Sequence, residues 1–318
     1  MTTEIIEITN EAAWLAERMK DVTSTEVSAL FGLSPYKTVF ELFHEKRDRQ
    51  SVKFKDNERM KWGRRFEAPI AHGVAEDQGW NISKFNVYMR DIEDRIGSSF
   101  DFRIDSSSDG PGIMEIKNVA ELQYKRAWVD DGSGNIEAPE HIELQIQHQM
   151  EISNLKWTAL VAMVGGNSPK IIYRNYDPEI GKMIRVKVAE FWAMVADNRP
   201  PSADYSKDAD VINQLYSQVN EGEIYDATGD EEIARLVLQY QAAGKQSDEF
   251  EILKKSYKAQ LLERIGAAEK VIGSWGSISA GSVKGSEGKL ITPEMVGTLT
   301  GVRAGYRNFK INMKKEKA

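Results

Sequence analysis

The spacing of apolar residues divides the first two hundred residues into helical and extended stretches. The helix predicted over 57–79 contains Pro69, which either kinks it or opens a second helix just after Glu67. Further on, three short β-rich segments separated by polar or Gly/Pro turns predict consecutive strands of one sheet. In chain order, the pattern predicts helical pieces from Asn10 to about Lys46, the helix over 57–79, strands over 82–89, 95–104 and 112–117, a helix over 140–153, strands over 158–164 and 170–176, and a helix over 178–197.

The strongest punctuation in the chain is Asn198-Arg199-Pro200-Pro201-Ser202, because two prolines cannot continue a helix or a central strand. A domain boundary is predicted there, between residues 1–200 and an extension over 201–318. In the extension, a polar helical stretch over 231–266 is expected to break near Gly244, and a basic strand is expected at 306–311. The predicted fold class is α/β (α+β), with a central mixed β-sheet flanked by helices and a C-terminal extension of helices and a β-hairpin.

Composition narrows the chemistry that the protein can perform. The 318 residues include no Cys, which excludes disulfides, thiolate zinc sites, iron–sulfur clusters and thiol nucleophiles. Because residues 1–10 lack the basic flank and apolar run of a signal peptide, a cytoplasmic protein without membrane association is expected. The net charge of −7 would repel a polyanion, so nucleic-acid binding requires local basic patches. One candidate is the run from Lys46 to Arg65, with nine basic and three acidic residues; the alternative is a solvated helix face.

The sharpest chemical signal is Asp101, followed after thirteen residues by Glu115-Ile116-Lys117. Residues i and i+2 of a strand share a face, so Glu115 and Lys117 point into one cavity while Ile116 packs behind them. A hairpin between the two segments would bring the carboxylates of Asp101 and Glu115 side by side. Two carboxylates with a carbonyl and waters suit Mg²⁺, which polarises a phosphoryl oxygen and activates water. With a lysine that orients the water or stabilises developing charge, these parts predict a phosphodiester hydrolase.

Other polar residues fall where such a site needs them. Glu67, on a helix before the sheet, can supply a third carboxylate, and Asp91, at the end of the preceding strand, a fourth. Gln145 and Gln147, on the helix after the sheet, can hydrogen-bond phosphate, water or Lys117. The alternative is that Glu-x-Lys on a strand occurs by chance and that Asp91 only caps its strand.

Seven short motifs occur in a fixed order and spacing from about Arg18 to Val195. They are Arg18 with Val22-Thr23-Ser24-Thr25-Glu26-Val27, Leu33-Ser34-Pro35-Tyr36, Trp62-Gly63-Arg64-Arg65-Phe66-Glu67, Tyr88-Met89-Arg90-Asp91, Ser99-Phe100-Asp101, Glu115-Ile116-Lys117 and Gln145-Ile146-Gln147-His148-Gln149-Met150. Through these motifs the chain resembles the lambda-type phage exonucleases, also called YqaJ-like viral recombinases, of the PD-(D/E)xK nuclease superfamily. The resemblance implies a restriction-endonuclease-like core.

The resemblance also implies an activity and a role for individual residues. It implies a Mg²⁺-dependent exonuclease, with one or two ions per site and Mn²⁺ as a substitute, that degrades one strand of linear double-stranded DNA from its 5′ end. The implied roles are metal ligation by Asp101, Glu115, the carbonyl of Ile116 and Glu67; catalysis by Lys117 and Gln145 with Asp91 as a supporting acid; 5′-phosphate binding by Arg18 and Thr25; and DNA binding by Met60, Arg64, Arg65 and Gln147. Trp62 and Phe66 are expected in the core.

The implied partners are linear duplex DNA and a phage single-strand annealing protein that uses the 3′ overhang. Members of the family tend to form ring-shaped trimers, so a homotrimer that encloses DNA is expected. Two alternatives stay open, a restriction-type endonuclease on the same scaffold and a non-catalytic DNA-binding or phage assembly protein. An iron–sulfur nuclease of CRISPR adaptation is excluded because the chain has no Cys.

Overall fold

The computed structural model describes residues 3–49, 57–218, 220–273 and 276–280. The chain divides into two compact units, Met1–Ile212 and Asn213–Ala318. The basic strand predicted at 306–311, and Lys53 and Lys55 of the basic run, lie outside the described residues. The assignment of separate roles to residues 1–200 and 201–318 stays a prediction.

The described strands of the first unit form mixed and antiparallel sheets. They are β1 (Thr3–Glu7), β2 (Val22–Thr23), β3 (Asn81–Lys84), β4 (Val87–Asp91), β5 (Ile96–Ser99), β6 (Phe102–Ser106), β7 (Gly112–Val119), β8 (Val129–Asp130), β9 (Ile136–Glu137), β10 (Trp157–Val164) and β11 (Ser168–Asn175). One sheet has the order β11-β10-β7-β6-β3, in which β7 runs parallel to β10 and antiparallel to β6. The predicted fold class, a mixed sheet flanked by helices, is confirmed.

A second sheet corrects the predicted strand arrangement. Its order is β1-β4-β5-β2, so β4 and β5 lie outside the sheet that contains β3, β6 and β7. The prediction that 82–89, 95–104 and 112–117 are consecutive strands of one sheet is therefore wrong. The reason is long-range pairing, because β4 pairs with β1 at the start of the chain and β5 pairs with the short strand β2.

The helices are close to those predicted, with one correction at Gly244. They are α1 (Glu11–Arg18), α2 (Val27–Leu30), α3 (Val39–Asp48), α4 (Glu58–Gln78), α5 (Glu121–Ala127), α6 (Glu140–Ser153), α7 (Pro178–Ala196), α8 (Ala209–Leu215) and α9 (Glu231–Ile265). Pro69 lies inside α4, which continues as one helix, and α9 runs through Gly244 without the predicted break. In the second unit, β12 (Lys270–Gly273) pairs with β13 (Gly276–Ser279). None of the helices in the described part of the chain has the length and apolar character needed to cross a membrane.

Alternation along β7 decides which side chains face the site. Met114 and Ile116 pack with apolar residues of α4, among them Ile70 and Val74. Residues of the opposite face pack instead toward α6, where Ile113 shares a cluster with Met150. Glu115 and Lys117 belong to this α6-facing side, as their period-two spacing predicts.

Candidate active site

One cavity of about 210 Å³ collects polar side chains from distant parts of the chain. Its walls come from α1 and the loop after β2, from α4, from the end of β5 and the residues that follow it, from β7 and from α6. The lining residues are Trp14, Arg18, Ser24, Thr25, Glu67, Ser99, Phe100, Asp101, Glu115, Ile116, Lys117, Gln145 and Gln149. The cavity therefore brings together seven residues that the sequence suggests for catalysis or 5′-phosphate binding. They are Arg18, Thr25, Glu67, Asp101, Glu115, Lys117 and Gln145.

The hairpin of β6 and β7 brings Asp101 to the carboxylate of Glu115. Phe102 pairs with Met114, so continuing the register by one position sets Asp101 opposite Glu115. Asp101 Oδ2 accepts a hydrogen bond from the backbone N–H of Ile116 at 2.8 Å. Because the N–H and C=O of a strand residue point to the same edge, the Ile116 carbonyl faces the gap beside Asp101.

Glu115 is buried and held by three donors. Its Oε1 accepts from Lys117 Nζ at 2.6 Å and from Gln145 Nε2 at 2.6 Å, and its Oε2 accepts from Gln149 Nε2 at 2.8 Å. Gln145 Oε1 in turn accepts from Lys117 Nζ at 3.1 Å. Gln149 was not assigned a role from the sequence, although it lies one helical turn after Gln145 and therefore on the same face of α6. Its Oε1 is buried and has no hydrogen-bond partner among the described residues.

Burial and crowding of negative charge together set the electrostatics of the cavity. Burial, together with the carboxylates of Glu115 and Glu67, raises the pKa of Asp101 well above its usual value. Burial lowers the pKa of Lys117, but the neighbouring carboxylates of Glu115 and Asp101 outweigh burial and raise it. Lys117 is therefore an ammonium, and its charge interacts with both Glu115 and Asp101.

The donor set fits a hard divalent cation. No group of three or more His, Cys, Asp or Glu side chains in the described residues has the arrangement of a metal cage. Two carboxylates and a carbonyl instead match Mg²⁺, which keeps several waters and takes few protein ligands. A cation here would stabilise the buried Asp101 carboxylate, whose pKa is raised first by burial and then by repulsion from Glu115 and Glu67. Glu67 lines the cavity, and its Oε2 also accepts from Lys84 Nζ at 3.1 Å.

A cationic corner lies on the α1 side of the same cavity. Arg18 Nη2 donates to Thr25 Oγ1 at 2.8 Å and to Thr23 Oγ1 at 3.2 Å. The guanidinium stacks on Trp14 at 4.6 Å from the ring centroid, and Trp14 Nε1 donates to Ser99 Oγ at 2.7 Å. A planar guanidinium beside a hydroxyl is a suitable anion site.

The N-terminal half of α4 carries an exposed cationic and aromatic surface. Met60 is 36% exposed, and Arg64 and Arg65 are also exposed. Trp62 and Phe66 stack at 5.4 Å between centroids, and the Arg65 guanidinium lies 4.9 Å from the Trp62 centroid. At 44% and 42% exposure, Trp62 and Phe66 are not core residues, so that prediction is wrong. The buried residues of α4 all lie in its C-terminal half.

Two further candidates lie away from the cavity in the described residues. Asp91 is buried, and its Oδ2 accepts from Arg185 Nη1 at 3.0 Å. Gln147 is also buried; its Nε2 donates to the Asn175 carbonyl at 2.9 Å and its Oε1 accepts from the Asp177 N–H at 2.9 Å. These contacts anchor β4 and also α6, which contributes Gln145 and Gln149 to the cavity.

The fold and the cavity together define a protein with a mixed sheet whose central hairpin presents acidic and basic groups to a small polar pocket. Residues 13–156 match the family model described as YqaJ-like viral recombinase domain. The match spans somewhat less than half of the 318 residues and marks this part of the chain as similar to that family.

Individual proteins are similar to this chain at low identity. The Bacillus subtilis (strain 168) "Uncharacterized protein YqaJ" is 24% identical over 263 residues, which cover 80% of this chain and 78% of that protein. Among solved structures, an alkaline exonuclease from Laribacter hongkongensis (LHK-Exo) is 16% identical with a TM-score of 0.47, covering 64% of this chain and 99% of that chain. A phage related exonuclease from Haemophilus somnus 129PT is 12% identical with a TM-score of 0.39, covering 56% of this chain and 96% of that chain.

Proposed function

We propose that the protein is a divalent-metal-dependent exonuclease that degrades one strand of linear double-stranded DNA from its 5′ end. The observation that carries the proposal is the convergence of Asp101, Glu115 and Lys117 on one cavity that also contains Arg18 and Thr25. A cavity of about 210 Å³ that holds both a hydrolytic centre and an anion site favours cleavage close to a terminal phosphate. The match to YqaJ-like viral recombinases supports a role in recombination.

The residues of the cavity divide the chemistry between them. Asp101, Glu115 and the Ile116 carbonyl would hold Mg²⁺, which when bound supplies a Lewis acid for the phosphoryl oxygen and a water of lowered pKa. Lys117, an ammonium held by Glu115 and Gln145, orients a water or stabilises the charge that develops on the phosphate. Gln145 hydrogen-bonds both the Lys117 ammonium and the Glu115 carboxylate and so holds them next to each other.

The DNA-facing residues complete the proposed site. Arg18 and Thr25 bind the 5′-phosphate, and Glu67 would help to hold a second ion or position water. The surface of α4 with Met60 and Arg65 contacts the duplex ahead of the cavity. Because these side chains lie on the helix that carries Glu67, DNA bound along α4 is guided to the carboxylates.

Further parts of the proposal concern partners. The product is a 3′ overhang, used by a phage single-strand annealing protein in the bacterial cytoplasm. The protein assembles as a homotrimer around DNA, which would turn basic residues toward the channel and acidic residues outward in a chain of net charge −7. Analytical ultracentrifugation checks the assembly, since an active monomer would contradict it.

Three substrates test the activity: a 5′-phosphorylated linear duplex, an unphosphorylated linear duplex and a supercoiled plasmid, each with Mg²⁺, Ca²⁺ or EDTA. We expect Mg²⁺-dependent shortening of the linear duplexes, faster with a 5′-phosphate, and an intact plasmid. Cutting of the plasmid would indicate the restriction-type endonuclease instead. Binding without cleavage under any metal would indicate a non-catalytic DNA-binding protein.

Variants of the cavity connect the activity to these residues. Glu115→Gln and Lys117→Met should each lower the cleavage rate by about 100-fold or more, because each removes a charge that acts on the reacting phosphate. Lys125→Met is the matched control, since Lys125 forms an exposed ion pair with Glu121 outside the cavity. Equal loss in the control would mean that the effect is not local to the cavity.

A further inference from the structure

Lys46 is a buried cation, although the sequence pattern places it in a basic run that could form a surface patch. It lies on α3, its side chain is 0% exposed, and it does not line the cavity. Its Nζ donates to the backbone carbonyl of Arg18 at 2.7 Å and forms an ion pair with Glu26 Oε2 at 2.8 Å. A charge this deeply buried is costly unless it is fully paired. The contacts of Lys46 therefore indicate its role, because one of them is to the backbone of Arg18, whose side chain lines the anion site.

The contacts of Glu26 lead back to the same arginine. Its Oε2 accepts from the Thr23 N–H at 3.0 Å and from the Thr23 hydroxyl at 2.9 Å. Because the Thr23 hydroxyl donates its hydrogen bond to Glu26, its oxygen can accept one from Arg18 Nη2, at 3.2 Å. A closed ring results: the Arg18 side chain binds Thr23, Thr23 binds Glu26, Glu26 binds Lys46, and Lys46 binds the Arg18 backbone.

This ring fixes the arginine at both ends. The carbonyl of Arg18, the last residue of α1, is held by Lys46, and its guanidinium is held by Thr23 and by Thr25. Burial raises the pKa of Glu26, but Lys46, Arg18 and a further lysine outweigh burial and hold that pKa at about 2. Glu26 is therefore a carboxylate at neutral pH, as the ring requires.

A fixed arginine is a better anion receptor than a mobile one. An arginine side chain has about 2 kcal/mol of rotamer entropy to lose on binding, and a side chain that is already ordered in the free protein avoids that cost. Neither Lys46 nor Glu26 lines the cavity, so neither is expected to touch the phosphate.

We propose that Lys46 and Glu26 are positioning residues that hold Arg18 and Thr25 in the geometry that selects a 5′-phosphorylated DNA end. This inference rests on the proposed function and adds the residues that set its end specificity. The alternative is a purely structural pair that stabilises the packing of α3 on the loop after β2.

The test is the ratio of kcat/KM for a 5′-phosphorylated duplex to kcat/KM for the same duplex with a 5′-hydroxyl. Lys46→Met and the milder Glu26→Gln should each lower this ratio toward one, by about 10- to 100-fold if the wild-type preference is that large. A purely structural role would slow both substrates by the same factor and leave the ratio unchanged, which would overturn the proposal.

The control is Arg174→Met, which removes the cation of a less buried ion pair, with Glu143 at 2.9 Å, outside the cavity. It should keep the wild-type ratio. Cooperative thermal unfolding of each variant identifies those that fold, and Glu26→Gln keeps the test decisive if Lys46→Met does not fold. A lost ratio in the control as well would overturn the assignment to Lys46 and Glu26.

Binding separates this inference from the proposed function. The affinity for a fluorescent 5′-phosphorylated duplex and for its 5′-hydroxyl counterpart can be measured in EDTA, where no cleavage is expected. If the wild type never cleaves but prefers the phosphorylated end, and Lys46→Met loses that preference, the exonuclease proposal fails and the positioning role stands. If the wild type cleaves without any preference for the phosphate in either assay, the positioning role fails and the exonuclease proposal stands.

Discussion

The buried imidazole of His148 should make the stability of the protein depend on pH. His148 lies on α6, the helix that carries Gln145, and it is 0% exposed. Its Nε2 lies 3.0 Å from the carbonyl oxygen of Gly97, so this nitrogen must carry the proton and donate. The Nδ1 atom is buried with no hydrogen-bond partner among the described residues. Burial lowers the pKa of His148 from 6.5 to about 4, because the imidazolium would lose its hydration.

The size and the sign of the effect follow from these two values. Above pH 6.5 the imidazole is neutral in both the folded and the unfolded chain, and its contribution does not change with pH. Between pH 6.5 and about 4, only the unfolded chain takes up the proton, so the free energy of unfolding falls by about 1.4 kcal/mol per pH unit. The loss attributable to His148 is therefore about 3 kcal/mol at pH 4, with little further loss below.

The assay compares wild type with His148→Gln, whose amide can still donate to Gly97 but does not titrate. Urea unfolding is followed by tryptophan fluorescence at several pH values from 7.5 to 4, since six of the seven tryptophans belong to the first unit. Other groups titrate in both proteins, so the difference between the two isolates the imidazole. We expect the wild type to lose about 3 kcal/mol relative to the variant over this range. Parallel pH profiles would refute the reasoning.

Three other substitutions have definite expected outcomes. Gly97→Ala would set a Cβ 2.1 Å from the Tyr88 hydroxyl oxygen, so the free energy of unfolding should fall by about 1–3 kcal/mol in chemical denaturation; an unchanged value would contradict this close approach. Arg185→Met leaves three carboxylates facing one another without their shared cation and should cost about 3 kcal/mol in the same measurement, whereas a loss below about 1 kcal/mol would mean that solvent already screens them. Trp62→Ala should change stability little, since Trp62 is 44% exposed, but should weaken DNA binding measured by fluorescence anisotropy; equal affinity would exclude the Trp62 and Phe66 stack from the DNA-binding surface.

Local periodicity was sufficient to predict the elements that build the cavity. The helix predicted over 140–153 is α6, with the same bounds, and it ends at Asn154 in the left-handed conformation. Strand alternation also predicted that Glu115 and Lys117 share a face, and hairpin geometry predicted that Asp101 lies beside them; their hydrogen bonds agree with both. These features depend on interactions within about twenty residues, which the sequence pattern encodes directly.

The partners of buried charges could not be predicted in the same way. Lys46 was counted with a basic run, yet it is fully buried against Glu26, and Asp91 pairs with Arg185, which is 94 residues further along the chain. A charge pattern indicates the sign of a surface only if the charges reach that surface. Which lysine is buried depends on how α3 packs on the loop after β2, and no local period reports that packing.

The exposed half of α4 is a second case in which a local pattern did not predict burial. A helical period predicted that Trp62 and Phe66 belong to the core, because aromatic residues on an apolar stripe usually do. The period identifies which face of the helix is apolar. It does not show how much of that face is covered, because the extent of the covering sheet depends on strand pairing elsewhere in the chain. Here packing buries Ile70, Ala71, Val74 and Ala75 of α4 and leaves the preceding two turns uncovered. Two exposed aromatic rings beside Arg65 contribute little to folding, which favours a binding role for them. They lie next to Glu67, the residue of α4 that lines the cavity.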